Sequence, residues 1–386
     1  MPKLKILVIS NLFPPQVIGG YERAIADYAR RLHHRGHEVL VLTANVEGLT
    51  TSYSQSEPEP MVVKRCLALW GSLTEPGFPM YPQPYATAIA IQNYQVLDQE
   101  IQLFQPDVCL AGNIDYLGQT VLEQVLAYSI PVAHYIMNAV PGYPVDLAPQ
   151  SPLYKYITVS NWVKDSLTSK GYPTATAQTI YPGAAVEKFH QSQIPAHDKL
   201  RIAYAGLVMP FKGTDVLIEA LYLLHQEGID FTATIAGGCH TPEFRQDLED
   251  FVTTEGFADK VKFTGLLNQQ ELIGLYKDHN IWILPSRFDE PFSIGLLEAM
   301  VAGLTIIASD TGGSPEAIDH QENGLIFASE NPLDLAENIS FLALHPEQWQ
   351  SITYQGQQRA LTEFSRTKTI EEIELFFYDL QQQSAI

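Results

Sequence analysis

Short apolar runs bounded by glycine and proline alternate along this chain with longer segments whose apolar residues recur every three to four positions. KILVIS at 5–10 is continuous, apolar and rich in β-branched residues, which predicts a strand buried on both faces of a parallel sheet. A loop carrying Pro14, Pro15, Gly19 and Gly20 follows. Ile25, Tyr28, Ala29 and Leu32 then fall at i, i+3, i+4 and i+7, the spacing of one helix face. Gly36 stops that helix, and a second strand runs over 39–43, completing a βαβ unit. Further strands are predicted at 108–111, 132–136 and 156–159, with helices near 87–104, 117–127 and 161–170.

The alternation restarts at Leu200. Strands over 201–205, 231–236, 260–264, 281–284 and 305–309 alternate with helices over 215–226, 241–254, 269–277 and one that contains Glu298. QSQIPAHDK at 191–199 is polar, aperiodic and holds a proline, so it reads as a linker. At 386 residues the chain is too long for one ordinary core. The expected division is 1–190, the linker 191–199, 200–365, and a C-terminal helical segment 366–386. Within that segment Ile370, Ile373, Phe376, Phe377 and Leu380 share one face of a helix over 369–382. That face must be buried, and the N-terminal domain is one candidate partner. The predicted fold class is α/β: two doubly wound, Rossmann-like domains facing across a cleft, with ligands at the C-terminal edges of the strands.

Composition narrows the partners. Hydrophobic residues make up 46% and charged residues 17%, as in a folded globular chain. The net charge of -21 is uneven: residues 1–190 carry 12 basic and 15 acidic side chains, residues 191–386 carry 11 and 29. An acidic C-terminal half argues against nucleic acid and anionic membranes as its partners. Cys66, Cys109 and Cys239 are few, odd in number and far apart, which fits reduced thiols and neither a disulfide framework nor a zinc site. The apolar run at 4–9 is too short to span a bilayer or to form a signal-peptide core. The expected location is cytoplasmic, with peripheral contact at the inner face of a membrane, through the N-terminal domain, left open.

The densest chemistry lies in PSRFDEPFSIGLLEAMVAGLTIIASDTGGSPE at 285–316. Glu290 sits in a loop, and Glu298 lies eight residues on, in the helix that the loop opens into. Ser293 is placed to cap that helix, whose N-terminus directs backbone N–H groups and partial positive charge at the loop. The arrangement suits a ligand with phosphate in its middle and hydroxyl-bearing groups at both ends. FPPQVIGGYE at 13–22 joins the first strand to the first helix. Its Gly19 and Gly20 let the backbone approach a phosphate, although a plain strand-to-helix turn explains them equally well. AGLVMPFKG at 205–213 is the same element of the second domain. There Lys212 could face charge building on a departing diphosphate, or be an ordinary surface lysine. WGSLTEPGFPMYPQPY at 70–85 is too irregular for a regular element; it reads as an ordered surface loop, with an aromatic lining for a sugar acceptor as the alternative. ARRLHHRGH at 29–37 reads as a solvated helix end complementing the dipole, with contact to anionic lipid or a lipid-linked acceptor as the alternative.

FPPQVIGGYERAIADYARRLHHRGHEVLVLT, AGLVMPFKGTDVLIEA, PSRFDEPFSIGLLEAM and NGLIF at 323–327 occur in the order that resembles glycosyltransferase family four, the glycosyl transferases of group 1. The resemblance spans nearly the whole chain. It implies a GT-B fold and a retaining enzyme that uses a nucleotide-sugar donor. It further implies that Glu298 accepts hydrogen bonds from the ribose, that Glu290 holds the transferred sugar and that Lys212 binds the diphosphate. Gly20, beside Gly19, would meet the distal phosphate. The backbone of Phe292, Ser293 and Ile294 would touch sugar and phosphate, and Leu267 would clasp the base through main-chain groups. This sequence departs from the family pattern at three places. Leu207 stands where an arginine is usual, with Arg287 a candidate substitute. Met137, beside Asn138, stands where many relatives have a histidine, and both are candidate acceptor or sugar contacts. His134 lies on the strand itself, and Ser293 stands where glycine is usual. The implied reaction moves a hexose, glucose foremost, from a UDP-sugar, with a GDP-sugar as the other option, to a saccharide or lipid-linked acceptor. It implies no metal, no cofactor and no nucleic acid. A non-catalytic nucleotide-sugar-binding protein and a nucleotide-sugar epimerase of the same plan are the alternatives.

Overall fold

The computed structural model describes residues 2–49, 59–75 and 77–384. Pro76 of the aromatic loop and residues 385–386 of the C-terminal segment lie outside that range. The chain forms two compact units, one of Met1–Tyr181 with Thr369–Ile386, the other of Pro182–Lys368.

In the first unit, strands β1 (Lys5–Ile9), β2 (Glu38–Ala44), β3 (Val62–Leu67), β4 (Val108–Ala111), β5 (Val132–Ile136), β6 (Tyr154–Thr158) and β7 (Gln178–Thr179) form a parallel sheet in the order β3-β2-β1-β4-β5-β6-β7. In the second, β8 (Leu200–Ala205), β9 (Phe231–Ala236), β10 (Val261–Gly265), β11 (Ile281–Leu284), β12 (Thr305–Ser309) and β13 (Leu325–Phe327) form another, in the order β10-β9-β8-β11-β12-β13. Both sheets are doubly wound. Their strand order reverses between β1 and β4 and between β8 and β11, the switch points at which open α/β sheets place their ligand sites. Ile202, Tyr204, Ile281, Ile283 and Ile307 fill the second core against Leu217 and Leu221 of the helix Thr214–Gln226.

The boundaries differ from the expected ones. Residues 182–190 belong to the second unit, where Ala184 bridges Ser365 and Phe189 packs on Tyr276 with ring centroids 5.8 Å apart. The polar stretch 191–199 is built into the same unit: Asn280 donates to Ala196 O and Lys199 O, both at 2.7 Å, and Gln357 to Gln191 O at 2.9 Å. Polarity without periodicity reads as a linker, yet here it reports backbone carbonyls satisfied by distant side chains. The aromatic stretch also corrects: its last residues begin the helix Gln83–Phe104. The helix Arg366–Ser384 starts in the second unit and continues in the first, where Ile370, Ile373, Phe377 and Leu380 are buried. There Glu374 accepts from Arg35 at 2.6 Å and lies 2.7 Å from His37 Nε2.

Candidate functional site

Lys212 and Glu290 meet where the second sheet reverses its order. The loop after β8 carries Lys212 and the loop after β11 carries Glu290. Lys212 Nζ donates to Glu290 Oε1 at 3.0 Å and lies 4.6 Å from the centre of the Phe288 ring. Glu290 is buried, and the same oxygen accepts from Ser286 Oγ. Two glycines permit this approach. Gly213 has φ +67°, and a Cβ there would lie 1.8 Å from Pro285 O, so the two loops touch backbone to backbone. Gly312 has φ +65°, and a Cβ would strike the Glu290 carbonyl oxygen at 2.2 Å.

Past Glu290 the chain turns into the helix Ile294–Val301. Ser293 caps it, its Oγ accepting from Leu296 N at 3.3 Å, while Ser293 N donates to Ser314 Oγ at 2.9 Å. Phe292 is buried beside Phe364, with centroids 6.1 Å apart. Ile294 opens the helix, and Glu298 lies one turn in, mostly buried. Its Oε1 is 3.7 Å from Arg366 Nη2, a partner that no local motif announces. Burial, and then the charge of Glu298, push the Tyr276 hydroxyl up.

Arg287, the candidate substitute for the cation missing at Leu207, is engaged within its own unit. It forms a two-pronged pair with Asp215, at 2.6 and 2.7 Å, and donates to Pro210 O at 2.7 Å. Leu267 lies in the loop after β10. Beside it a cavity of about 460 Å³ is lined by residues including Gly237, Gly238, Arg245, Glu249 and Leu266.

In the first unit, Gly19 precedes the helix Gly20–His34, and its N–H donates to Glu22 Oε2 at 2.9 Å. A buried carboxylate therefore occupies the first turn, which the glycine pair alone does not foretell. Gly20 is exposed and faces open space. Met137 and Asn138 follow β5, and Asn138 Nδ2 donates to Asp115 Oδ2 at 3.1 Å. His134 is buried within the sheet, bonded to the Tyr154 hydroxyl at 2.7 Å and to Gly112 O at 3.1 Å. Burial lowers its pKa to about 3, against the bond to Gly112, so the ring is neutral at pH 7. The basic run is engaged in ion pairs: Arg30 with Glu59 at 2.6 Å, Arg31 with Asp27 at 2.8 Å and Arg35 with Glu374. Among the described residues, no helix is long and apolar enough to cross a membrane.

Known proteins share this plan. Residues 185–359 match the family Glycosyl transferases group 1, and residues 18–188 match Glycosyltransferase Family 4. A glycosyltransferase of Methanocaldococcus jannaschii is 35% identical over 361 residues, covering 87% of this chain and 88% of that one. A GDP-mannose-dependent mannosyltransferase of Mycobacterium tuberculosis, acting on phosphatidylinositol monomannoside, is 23% identical, covering 88% and 89%. Other matches are shorter: the alignment spans 63% of spore coat protein SA of Bacillus subtilis and 48% of a D-inositol 3-phosphate glycosyltransferase of Saccharomonospora viridis. Among solved structures, a glycosyltransferase from Rickettsia africae superposes with a TM-score of 0.80 at 17% identity, covering 98% of this chain and 99% of that one. Anabaena HepE in complex with UDP superposes with a TM-score of 0.78 at 19% identity, covering 97% and 100%. Two family matches in chain order, a relative at 35% identity along most of both chains and the shared architecture make this chain a member of the group 1 glycosyltransferases, with the GT-B fold.

Proposed function

We propose that the protein is a retaining hexosyltransferase, moving glucose foremost from a UDP-sugar to a hydroxyl of a saccharide or lipid-linked saccharide. One observation carries this reading: an ammonium and a buried carboxylate, Lys212 and Glu290, lie 3.0 Å apart at the point where the second sheet reverses its order. Glu290 then accepts hydrogen bonds from the transferred sugar, and Glu298 from the ribose. Lys212 faces the diphosphate, and the backbone of Phe292, Ser293 and Ile294 touches the sugar and phosphate. Gly19 and Gly20 serve the distal phosphate, and Leu267 clasps the base beside the cavity. Asn138 and Met137 serve the acceptor side.

The bond between the anomeric carbon and the diphosphate oxygen breaks. The acceptor oxygen bonds to that carbon on the same face, and its proton passes to the departing diphosphate. The protein's part is electrostatic. An ammonium has three N–H donors. Glu290 engages one of those of Lys212, which leaves donors for the phosphate oxygens. Support for the donor class comes from relatives, since HepE was solved with UDP and with UDP-glucose, and the mycobacterial relative is named for GDP-mannose.

The test is a thermal-shift screen against UDP-, GDP- and ADP-sugars followed by transfer assays, because a nucleotide that binds only the folded state raises its melting temperature. Lys212→Ala and Glu290→Gln should each lower turnover by about 100-fold while the far-ultraviolet circular dichroism is kept, the scale of losing one preorganised electrostatic contact. Wild-type turnover in both variants would remove the site assignment. A non-catalytic nucleotide-sugar-binding protein is the second reading, favoured by Leu207 and by the commitment of Arg287 to Asp215. Donor hydrolysis and transfer that are both undetectable, with binding intact, would establish it.

A further inference from the structure

We propose that Arg366 is a positioning residue for Glu298, setting its carboxylate for the ribose hydroxyls from the segment through which the chain leaves the second unit. The inference rests on the reading of Glu298 given above. Arg366 is fixed at several points. Its N–H donates to Ala184 O at 3.1 Å, its Nε donates to Gly183 O at 3.1 Å, and its Nη2 lies 3.7 Å from Glu298 Oε1. The backbone around it leaves little slack. Ala184 N donates to Phe364 O at 2.8 Å, and a Cβ on Gly183 would lie 2.3 Å from Arg366 N. Two residues before Arg366, Phe364 packs against Phe292 of the Glu290 loop. One short strip, residues 364–366, thus braces both the loop before the helix Ile294–Val301 and the carboxylate on that helix.

The chemistry gives Arg366 a specific task. A carboxylate can accept through two oxygens, and a ribose presents two adjacent hydroxyls. To bind both, the carboxylate must hold one rotation about its terminal bond, which is otherwise soft. A guanidinium anchored to a backbone carbonyl and 3.7 Å from one carboxylate oxygen biases that rotation by charge, at little entropic cost because its planar fork is already ordered. Residues 364–366 also immediately precede the division between the units at Lys368 and Thr369. Recognition of the ribose therefore depends on chain that lies far from the donor motifs in sequence.

Calorimetry with UDP, GDP and ADP against their 2′-deoxy counterparts tests this. The nucleotide that binds wild type most tightly should bind about tenfold better than its deoxy form, the scale of one hydrogen bond to a charged group. Arg366→Gln should remove most of that preference and leave the affinity for the deoxy nucleotide within about twofold, because base and diphosphate contacts are untouched and a carboxylate free to rotate still reaches the remaining 3′-hydroxyl. Arg366→Lys should keep part of the preference, and its melting curve controls for folding. If Arg366→Gln and Arg366→Lys keep the full preference while Glu298→Gln loses it, Arg366 is structural only and the inference fails alone. If Glu298→Gln also keeps it, or wild type has none, the ribose assignment fails and takes the inference with it.

Discussion

Asp115 holds a charge that its surroundings resist. Burial first, then the nearby charge of Glu22, push its carboxyl up to about 6, against the hydrogen bond from Asn138 that pulls it down. Tyr21 and Tyr116 lie close enough to feel the Asp115 charge in turn. An acid whose folded pKa exceeds its unfolded value binds its proton more tightly when folded. The native state is then favoured below the unfolded value near 3.8, and that advantage is lost as pH rises through about 6. At pH 8 the native state carries an ionised group it would prefer protonated. Asp115→Asn has no proton to lose and keeps an amide that can pair with Asn138. It should be more stable than wild type by about 3 kcal/mol at pH 8, with the gap closing as pH falls toward 4. Urea denaturation at both pH values measures this, and a gap that does not change with pH would exclude titration as its source. The group lies in the loop after β4, beside Asn138, one of the proposed acceptor contacts, and a destabilised charge is retained most readily where it serves binding.

At the scale of elements, the helix Ile294–Val301 depends on its cap. It has eight residues, too few to persist without tertiary support, and its first turn presents orphan N–H groups. Ser293 Oγ accepts one of them, from Leu296. Ser293→Ala should cost about 1 kcal/mol and Ser293→Gly a few tenths, since glycine tolerates the cap position and leaves the N–H to water. Equal losses for both, measured by chemical denaturation, would show that the Ser293 hydroxyl does not act as a cap, since both variants keep the backbone N–H that Ser293 donates to Ser314 Oγ. The cap, both carboxylates and Lys212 were legible in the sequence because each sits within a few residues of a strand end or helix start. Strands β4, β5, β9, β11 and β12 were legible to the residue: β4, β5, β11 and β12 are buried on both faces, and β9 alternates Thr232 and Thr234 with buried Phe231, Ala233 and Ile235. Of the four edge strands among the described residues, β10 was predicted one residue off and the other three were not legible. Strand β3 reads VVKRCL and is only partly buried, and β7 and β13 have two and three residues. The helix Pro346–Glu363 escaped for a different reason. Its inward face uses Thr353, Gly356 and Gln357 beside Trp349, with a Cβ on Gly356 only 2.6 Å from Asn323 O, so close backbone packing replaces the apolar stripe. Arg366 and Ser286 were invisible as site neighbours because their contacts to Glu298 and Glu290 are made by the fold, with no motif around them.

For the whole molecule, the decisive feature is that one unit is assembled from both ends of the chain. Residues 1–181 need residues 369–386, whereas 182–368 is continuous. The helix Arg366–Ser384 supplies Ile373 and Phe377 to the first core, both fully buried, together with the Glu374 carboxylate between Arg35 and His37. A defect at Phe377 should therefore be felt in the first unit, even though the residue lies near the C-terminus. Phe377→Ala removes most of a buried ring and should cost about 3 to 5 kcal/mol. Hydrogen exchange followed by mass spectrometry reads where that cost falls. Faster exchange is expected in β1, β2 and the helix Gly20–His34, while residues 182–364 keep wild-type rates. Added nucleotide should do the reverse, slowing exchange around Lys212, Glu290 and Glu298 and leaving the first core as it was. The two perturbations address different cores, so their effects should add when combined. Exchange that accelerates equally in both units on Phe377→Ala would mean that they open as one cooperative body, and the division of stability between them would be wrong.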